Sequence, residues 1–121
     1  MRQTIQDYYT GFEGYDEITF VRRAGERELA FTMWDGYFDA IMMAIQPGPT
    51  GWTSLALAYH VEDPWDDVPA WPVPDPTEVA DQLDGIDRAL LNEKQREVLS
   101  GLIAFIREGL REGDELVIQA S

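Results

Sequence analysis

Asp35-Gly36-Tyr37-Phe38-Asp39-Ala40-Ile41-Met42-Met43-Ala44-Ile45 sets how much sheet the middle of the chain supplies. Asp35-Gly36 is suited to a two-residue type I′ turn, whose central residues both need positive φ. Phe38 to Ile45 is apolar almost throughout, which is the pattern of a central strand covered on both faces. On the N-terminal side, Leu29, Phe31 and Met33 alternate with Glu28, Ala30 and Thr32, as in a half-buried strand. Before that, Ile18-Thr19-Phe20-Val21 is β-rich and ends at a tight turn over Ala24-Gly25-Glu26. On the C-terminal side, Pro47-Gly48-Pro49-Thr50-Gly51 ends the apolar run. From Trp52 to Val61, Thr53, Leu55, Leu57, Tyr59 and Val61 alternate with Trp52, Ser54, Ala56, Ala58 and His60. Residues 16–61 therefore predict a four-stranded antiparallel meander.

The ends of the chain read differently. In residues 1–15, Ile5, Tyr8, Tyr9 and Phe12 share one helical stripe, and Gly11 and Gly14 stop it, which predicts a short helix and then a turn. Residues 62–76 (EDPWDDVPAWPVPDP) hold five prolines, five carboxylates and two tryptophans. Proline removes donors and fixes φ, so an ordered, semi-rigid loop is expected there. Asp75 as N-cap, Pro76 at N1 and Glu78 at N3 start a short helix that places Val79, Ala80 and Leu83 inward, with Gly85 after its end. Asn92 with Gln95 caps a longer helix, in which Val98, Leu99, Leu102, Ile103, Ile106 and Leu110 form one stripe closed by Gly113. Leu116-Val117-Ile118 adds an edge strand or docks the tail. The expected fold is one α+β domain over residues 1–121. It has an antiparallel sheet of four to five strands in a meander, a Pro-rich loop at 62–76 and a helical layer (77–113) packed on one face, with residues 114–121 as tail or edge strand.

The chain has 121 residues, enough for one core, and a formal charge of −14. The acidity is regional. Between Arg27 and Arg88 there is no Lys or Arg, and these sixty residues carry twelve carboxylates, all four tryptophans and all seven prolines. Such a face suits a basic partner. It disfavours nucleic acid and anionic membrane surfaces, both of which are bound through Lys and Arg. Without cysteine there is no disulfide, thiol nucleophile or thiolate zinc site. No secretory signal or membrane-length apolar run is seen in the sequence, so the expected location is the cytoplasm.

No catalytic constellation emerges. His60 and Glu62 could lie two apart on a strand, with Asp63, Asp66 or Asp67 as a third ligand, but zinc or iron sites of this kind need a second neutral or thiolate donor. Ser54, Ser100 and Ser121 are the serines a triad with His60 would use, and none sits in a nucleophile elbow. Asp81, Asp84 and Asp87 are spaced three apart with Gly85 misplaced for a calcium loop, so helix-surface acids account for them. Twenty-three acids always offer carboxylate pairs, and a sugar-lined cleft for them has little room here. The glycines have no neighbouring base to hold phosphate. We expect no metal, no cofactor and no enzyme activity.

What remains is the acidic, aromatic segment. Trp65 and Trp71 stand among Glu62, Asp63, Asp66, Asp67 and Asp75 on a loop that proline preorganises, with Asp35 and Asp39 as outlying steering charges. Tryptophan anchors interfaces, proline lowers the ordering cost, and carboxylates steer a cationic partner. In the rival assignment, Trp34, Tyr37, Trp52 and Tyr59 line a small-molecule or peptide pocket over the sheet.

In size, charge, lack of cysteine and α+β architecture the chain resembles the small acidic immunity proteins of bacterial polymorphic toxin and contact-dependent inhibition systems. It shares its composition with DNA-mimic inhibitors of nucleases, but it concentrates carboxylates beside Trp and Pro, where those proteins spread them at phosphate-like spacing. The resemblance implies a cytoplasmic, non-enzymatic inhibitor that occludes a basic toxin domain, a nuclease or another nucleic-acid-modifying domain.

Overall fold

The computed structural model describes residues 2–47, 49, 51, 53–57, 59 and 70–120. Within them lie β1 (Arg2–Tyr8), β2 (Glu17–Ala24), β3 (Arg27–Trp34), α1 (Asp35–Ala44), α2 (Ser54–Leu57), β4 (Ala70–Pro72), α3 (Pro76–Asp84), a 3₁₀ turn at Arg88–Leu90, α4 (Glu93–Glu112) and β5 (Glu115–Ala120). The strands stand in the order β1-β3-β2-β5-β4, four of six to eight residues and a three-residue strand at one edge.

The fold class is α+β, but the sheet is mixed and is not a meander. β2 and β3 form the expected hairpin, with Phe20 opposite Phe31. Residues 2–8, expected as a helix, instead form β1, which pairs with β3 in parallel. Thr4, Ile5 and Tyr8 suit a strand. The pairing brings Gln6 opposite Phe31 and Tyr8 opposite Met33, with the Tyr8 and Phe31 rings 5.5 Å apart. β5 is no edge strand: it lies between β2 and β4 and pairs antiparallel with both. Of the expected Pro-rich loop, residues 62–69 fall outside the described residues. Ala70–Pro72 forms the edge strand β4, a position that tolerates proline.

The largest correction concerns residues 35–45. Asp35-Gly36 is not a hairpin turn and Phe38–Ile45 is not a strand; together they build α1. Phe38, Ile41, Met42 and Ile45 recur at helical spacing and are buried, while Asp39 and Met43 face solvent. An apolar run cannot by its content alone separate a buried strand from a buried helix, and here the need to cover the sheet selects the helix. In the expected strand Trp52–Val61, Ser54–Leu57 forms α2, with the adjacent residues Leu55 and Ala56 both buried, which strand alternation would not allow. Trp52, Ala58, His60 and Val61 lie outside the described residues.

The two later helices form as their caps predict. Asp75 accepts a hydrogen bond from the Glu78 N–H (3.4 Å) at the start of α3, and Asn92 and Gln95 form a reciprocal capping box on α4. Gly113, at φ 73°, ends α4 in a Schellman arrangement, with the Asp114 N–H donating to Gly109 O (2.9 Å). Gly85 closes α3 with a right-handed φ of −80°, so no left-handed cap is used there.

α1, α3 and α4 cover one face of the sheet. Ile18, Phe20, Phe31, Met33, Leu116 and Ile118 meet them in a single core, with Phe20 5.9 Å from Phe38 and Phe31 5.7 Å from Phe105 between ring centroids. Val21, Ala30, Thr19 and Thr32 alternate onto the opposite face, where the two threonine hydroxyls are paired. Arg2 of β1 donates to Glu28 (3.1 Å) and to Gln119 of β5 (2.9 Å), although β3 and β2 stand between their strands. Their side chains therefore lie flat across that face.

Arg22 ties the layers together. It points from β2 into the helical layer, is 2% exposed, and donates through Nε to Asp114 (2.9 Å), whose side chain is 4% exposed. Its guanidinium lies 5.5 Å from the Phe105 ring centroid and 3.7 Å from Glu108. Gly109 admits it, since a Cβ there would stand 3.2 Å from Arg22 Cγ. Removing one partner of a buried pair strands the other charge, at a cost of about 3–5 kcal/mol. Asp114→Ala should lower the unfolding free energy by roughly that amount in guanidinium titrations. Arg22→Met with Asp114→Leu should recover most of it, and a loss for Asp114→Ala below about 1 kcal/mol would show that the pair is not what joins sheet to helix.

Candidate functional site: an acidic aromatic face

The loop between β1 and β2 is held in one shape by its own polar groups. Asp7 accepts from the Tyr9 and Thr10 N–H groups (2.8 and 3.0 Å) and from the Thr10 hydroxyl. These bonds, the Thr10 hydroxyl foremost, hold the Asp7 carboxyl below its ordinary pKa. Gly11 and Gly14 take φ of 103° and 98°, where side chains are disfavoured, and the Tyr9 hydroxyl donates to the Tyr15 carbonyl (2.6 Å). The loop is pinned to the end of β3 by the Asp35 N–H, which donates to the Asp16 carbonyl (2.9 Å).

This brings Phe12 flat against Trp34, with ring centroids 4.4 Å apart and 4° between planes. Tyr37 meets both rings edge-on, at 5.4 and 5.6 Å, and Tyr15 meets Trp34 edge-on at 6.3 Å. Gly36 permits the stack: a Cβ on it would come within 2.4 Å of the Trp34 ring. Close approach, not turn geometry, is the reason for glycine here. Tyr15 remains 65% exposed, and Trp34 and Tyr37 are half-buried. Ordered aromatic pairs of this kind contribute about 0.5–1.5 kcal/mol beyond burial.

Carboxylates border the rings. Asp16 and Asp39 are exposed, Asp35 is partly covered, and Asp39 accepts a hydrogen bond from the Tyr59 hydroxyl. All nine Lys and Arg residues are among the described residues, and none forms an ion pair with Asp16, Asp35 or Asp39. Six of the nine form ion pairs elsewhere, Arg2, Arg22 and Arg23 on the sheet and Arg88, Lys94 and Arg107 on the helices, and Arg96 donates to the Arg88 carbonyl. Burial first, and then Asp16 and Asp39, push the Asp35 carboxyl above its ordinary pKa. Among the described residues, no Lys or Arg compensates the charge of this face.

The residues expected to bind a partner are distributed as follows. Asp35 and Asp39 belong to this face as integral members, not as outlying charges. Asp75 is exposed and caps α3 from a left-handed backbone at φ 36°. Trp71 has its backbone in β4 opposite Ile118. Glu62, Asp63, Trp65, Asp66 and Asp67 lie outside the described residues, as does His60. Of the aromatic set of the rival pocket, Trp34 and Tyr37 pack on Phe12 and on each other, Tyr59 packs on Phe38 at 5.5 Å, and Trp52 is outside the described residues. Ser54 donates to the Pro74 carbonyl (3.2 Å), and Arg107 bridges Asp81 (3.1 Å) and Asp84 (3.6 Å), which accounts for the calcium-like spacing of those acids.

Phe12, Tyr15 and Asp16 escaped the sequence reading, although a signal was present. Residues 3–21 also lack any Lys or Arg, and within them Asp7 to Glu17 hold four carboxylates and four aromatic rings. Comparison with protein-family models, curated proteins and solved structures finds no match to this chain.

Because the folded Asp35 carboxyl has a raised pKa, its charge destabilises the fold above that pKa, and the penalty fades as protonation removes it. Asp35→Asn should therefore raise the melting temperature at neutral pH. The gain should vanish once the pH drops below the pKa of an aspartate in the unfolded chain. A variant that melts lower than the parent at neutral pH would show that the carboxylate is needed by the start of α1.

Proposed function

We propose that this protein is a non-enzymatic inhibitor of the immunity type, acting in the cytoplasm by occluding a basic toxin domain, a nuclease or another nucleic-acid-modifying domain. The observation that carries this reading is the set of Asp16, Asp35 and Asp39, with no Lys or Arg partner among the described residues, around the ordered rings of Phe12, Tyr15, Trp34 and Tyr37. A cationic side chain arriving at this face finds carboxylates that no described Lys or Arg pairs with, and ring faces for cation–π contact. The rings are already stacked, so little side-chain freedom is lost on binding. The acidic, proline-rich segment around Glu62, Asp63, Trp65, Asp66, Asp67, Trp71 and Asp75 extends the contact. A charge of −14 speeds the encounter with a cationic cleft and makes it sensitive to salt.

The test is association with the basic product of a neighbouring reading frame, measured by stopped flow at low and high salt. Charge reversal of Asp16, Asp35 and Asp39 to Lys should slow association by about ten- to a hundredfold at low salt and flatten its salt dependence. The circular dichroism spectrum should be unchanged. Unaltered kinetics in the folded triple variant would take this face out of the interface.

A further inference from the structure

β1 has β3 on one side and no strand on the other among the described residues. The opposite edge of the sheet ends in Pro72, which lacks an N–H to offer. β1 is therefore the long edge at which the sheet could continue. Its register has an unusual consequence. Arg2 lies opposite Glu28 and Thr4 opposite Ala30, on the face away from the helices, and Gln3 lies opposite Leu29. A bulge at Ile5 then shifts the strand, so that Gln6 and Tyr8 lie opposite Phe31 and Met33 on the helical face, and Asp7 opposite Thr32 on the other. In a regular strand Arg2 and Asp7, five residues apart, would point to opposite faces. The bulge places them on the same one.

That makes the edge complementary to itself. In an antiparallel pair, opposed residues share a face and interact directly. If β1 met β1 of a second copy with paired residue numbers summing to nine, Arg2 of each copy would face Asp7 of the other, and Gln3 would face Gln6. Ile5, which is 41% exposed, would be covered beside the twofold axis. Arg2 uses Nε for Glu28 and Nη1 for Gln119, and its side chain is 39% exposed. Pairing across the edge therefore exchanges the Gln119 contact for the Asp7 carboxylate of the second copy, whose oxygens already accept from Tyr9 and Thr10 and have room for one more donor. We propose that β1 is a homodimerisation edge, joining two copies antiparallel through reciprocal Arg2–Asp7 pairs. The occupant is a second copy because the strand carries its one cation and its one anion at opposite ends, which is what an isologous contact requires.

The salt dependence separates this proposal from inhibitor binding. Two copies each carrying −14 repel at long range, and salt screens that repulsion. Dimer should therefore increase with ionic strength, whereas association with a basic partner should weaken. Sedimentation velocity over a wide concentration range, at low and high salt, should show a monomer–dimer equilibrium that shifts toward dimer in salt. Arg2→Glu alone and Asp7→Arg alone should each weaken the dimer about tenfold, since two pairs per dimer are lost; Asp7→Ala, which also gives up the loop bonds to Tyr9 and Thr10 but adds no like charge, should weaken it less than Asp7→Arg. Mixing Arg2→Glu with Asp7→Arg should restore a mixed dimer. The carboxylate introduced at position 2 of one copy then meets the guanidinium introduced at position 7 of the other, and the native pair re-forms on the opposite side. A parent protein that stays monomeric at every concentration and salt overturns the proposal. So does a dimer indifferent to both variants, or a loss that mixing fails to restore.

Discussion

Trp34 is at once the last residue of β3 and the residue that precedes the first turn of α1, so strand and helix are joined without a linker. Its ring lies over Gly36, where even a methyl group would collide. This junction forces the chain to reverse directly onto the sheet, and Phe38, Ile41 and Met42 become the cover for Phe20 and its neighbours. The same ring receives Phe12 from the β1–β2 loop, so the core layer and the acidic aromatic face share one anchor. Disturbing the junction would move both.

Charge is distributed according to what each part of the molecule must hold together. The basic residues act as internal ties: Arg22 between β2 and the end of α4, Arg107 between α4 and α3, and Arg23 and Arg2 around Glu28. The exposed ties are worth little individually, and among the ion pairs of the described residues only Arg22–Asp114 is buried enough for its loss to be severe. Among the described residues, no Lys or Arg pairs with the carboxylates around Trp34. The burial and like-charge repulsion that raise the Asp35 pKa are the local cost of an anionic face.

How much of this was legible in the sequence depended on how local the deciding interactions are. α3 and α4 could be read to their caps, because Asp75, Asn92, Gln95 and Gly113 act within one helical turn. The β2–β3 hairpin showed through its alternation and the Ala24-Gly25-Glu26 turn. α1 did not, because its apolar residues are dense enough to satisfy a strand period as well, and Asp35-Gly36 mimics a hairpin turn whose geometry it never adopts. β1 presented a helical stripe that tertiary pairing overrode. Asp35 and Asp39 were expected as outlying steering charges; that they stand with Phe12, Tyr15 and Asp16 follows only from the geometry of the β1–β2 loop and its bond to the start of α1.

By itself the sequence determined the fold class, the two capped helices, one hairpin and the regional separation of charge, since each follows from periodicity, capping chemistry or residue content. Tertiary structure alone decided that β3 inserts between β1 and β2, that residues 35–44 leave the sheet to cover it, and that a loop from residues 9–16 completes the aromatic stack. The physical reason is range. Hydrogen bonds within a turn are specified by neighbours, whereas a sheet face becomes a core only when some distant segment is available to bury it.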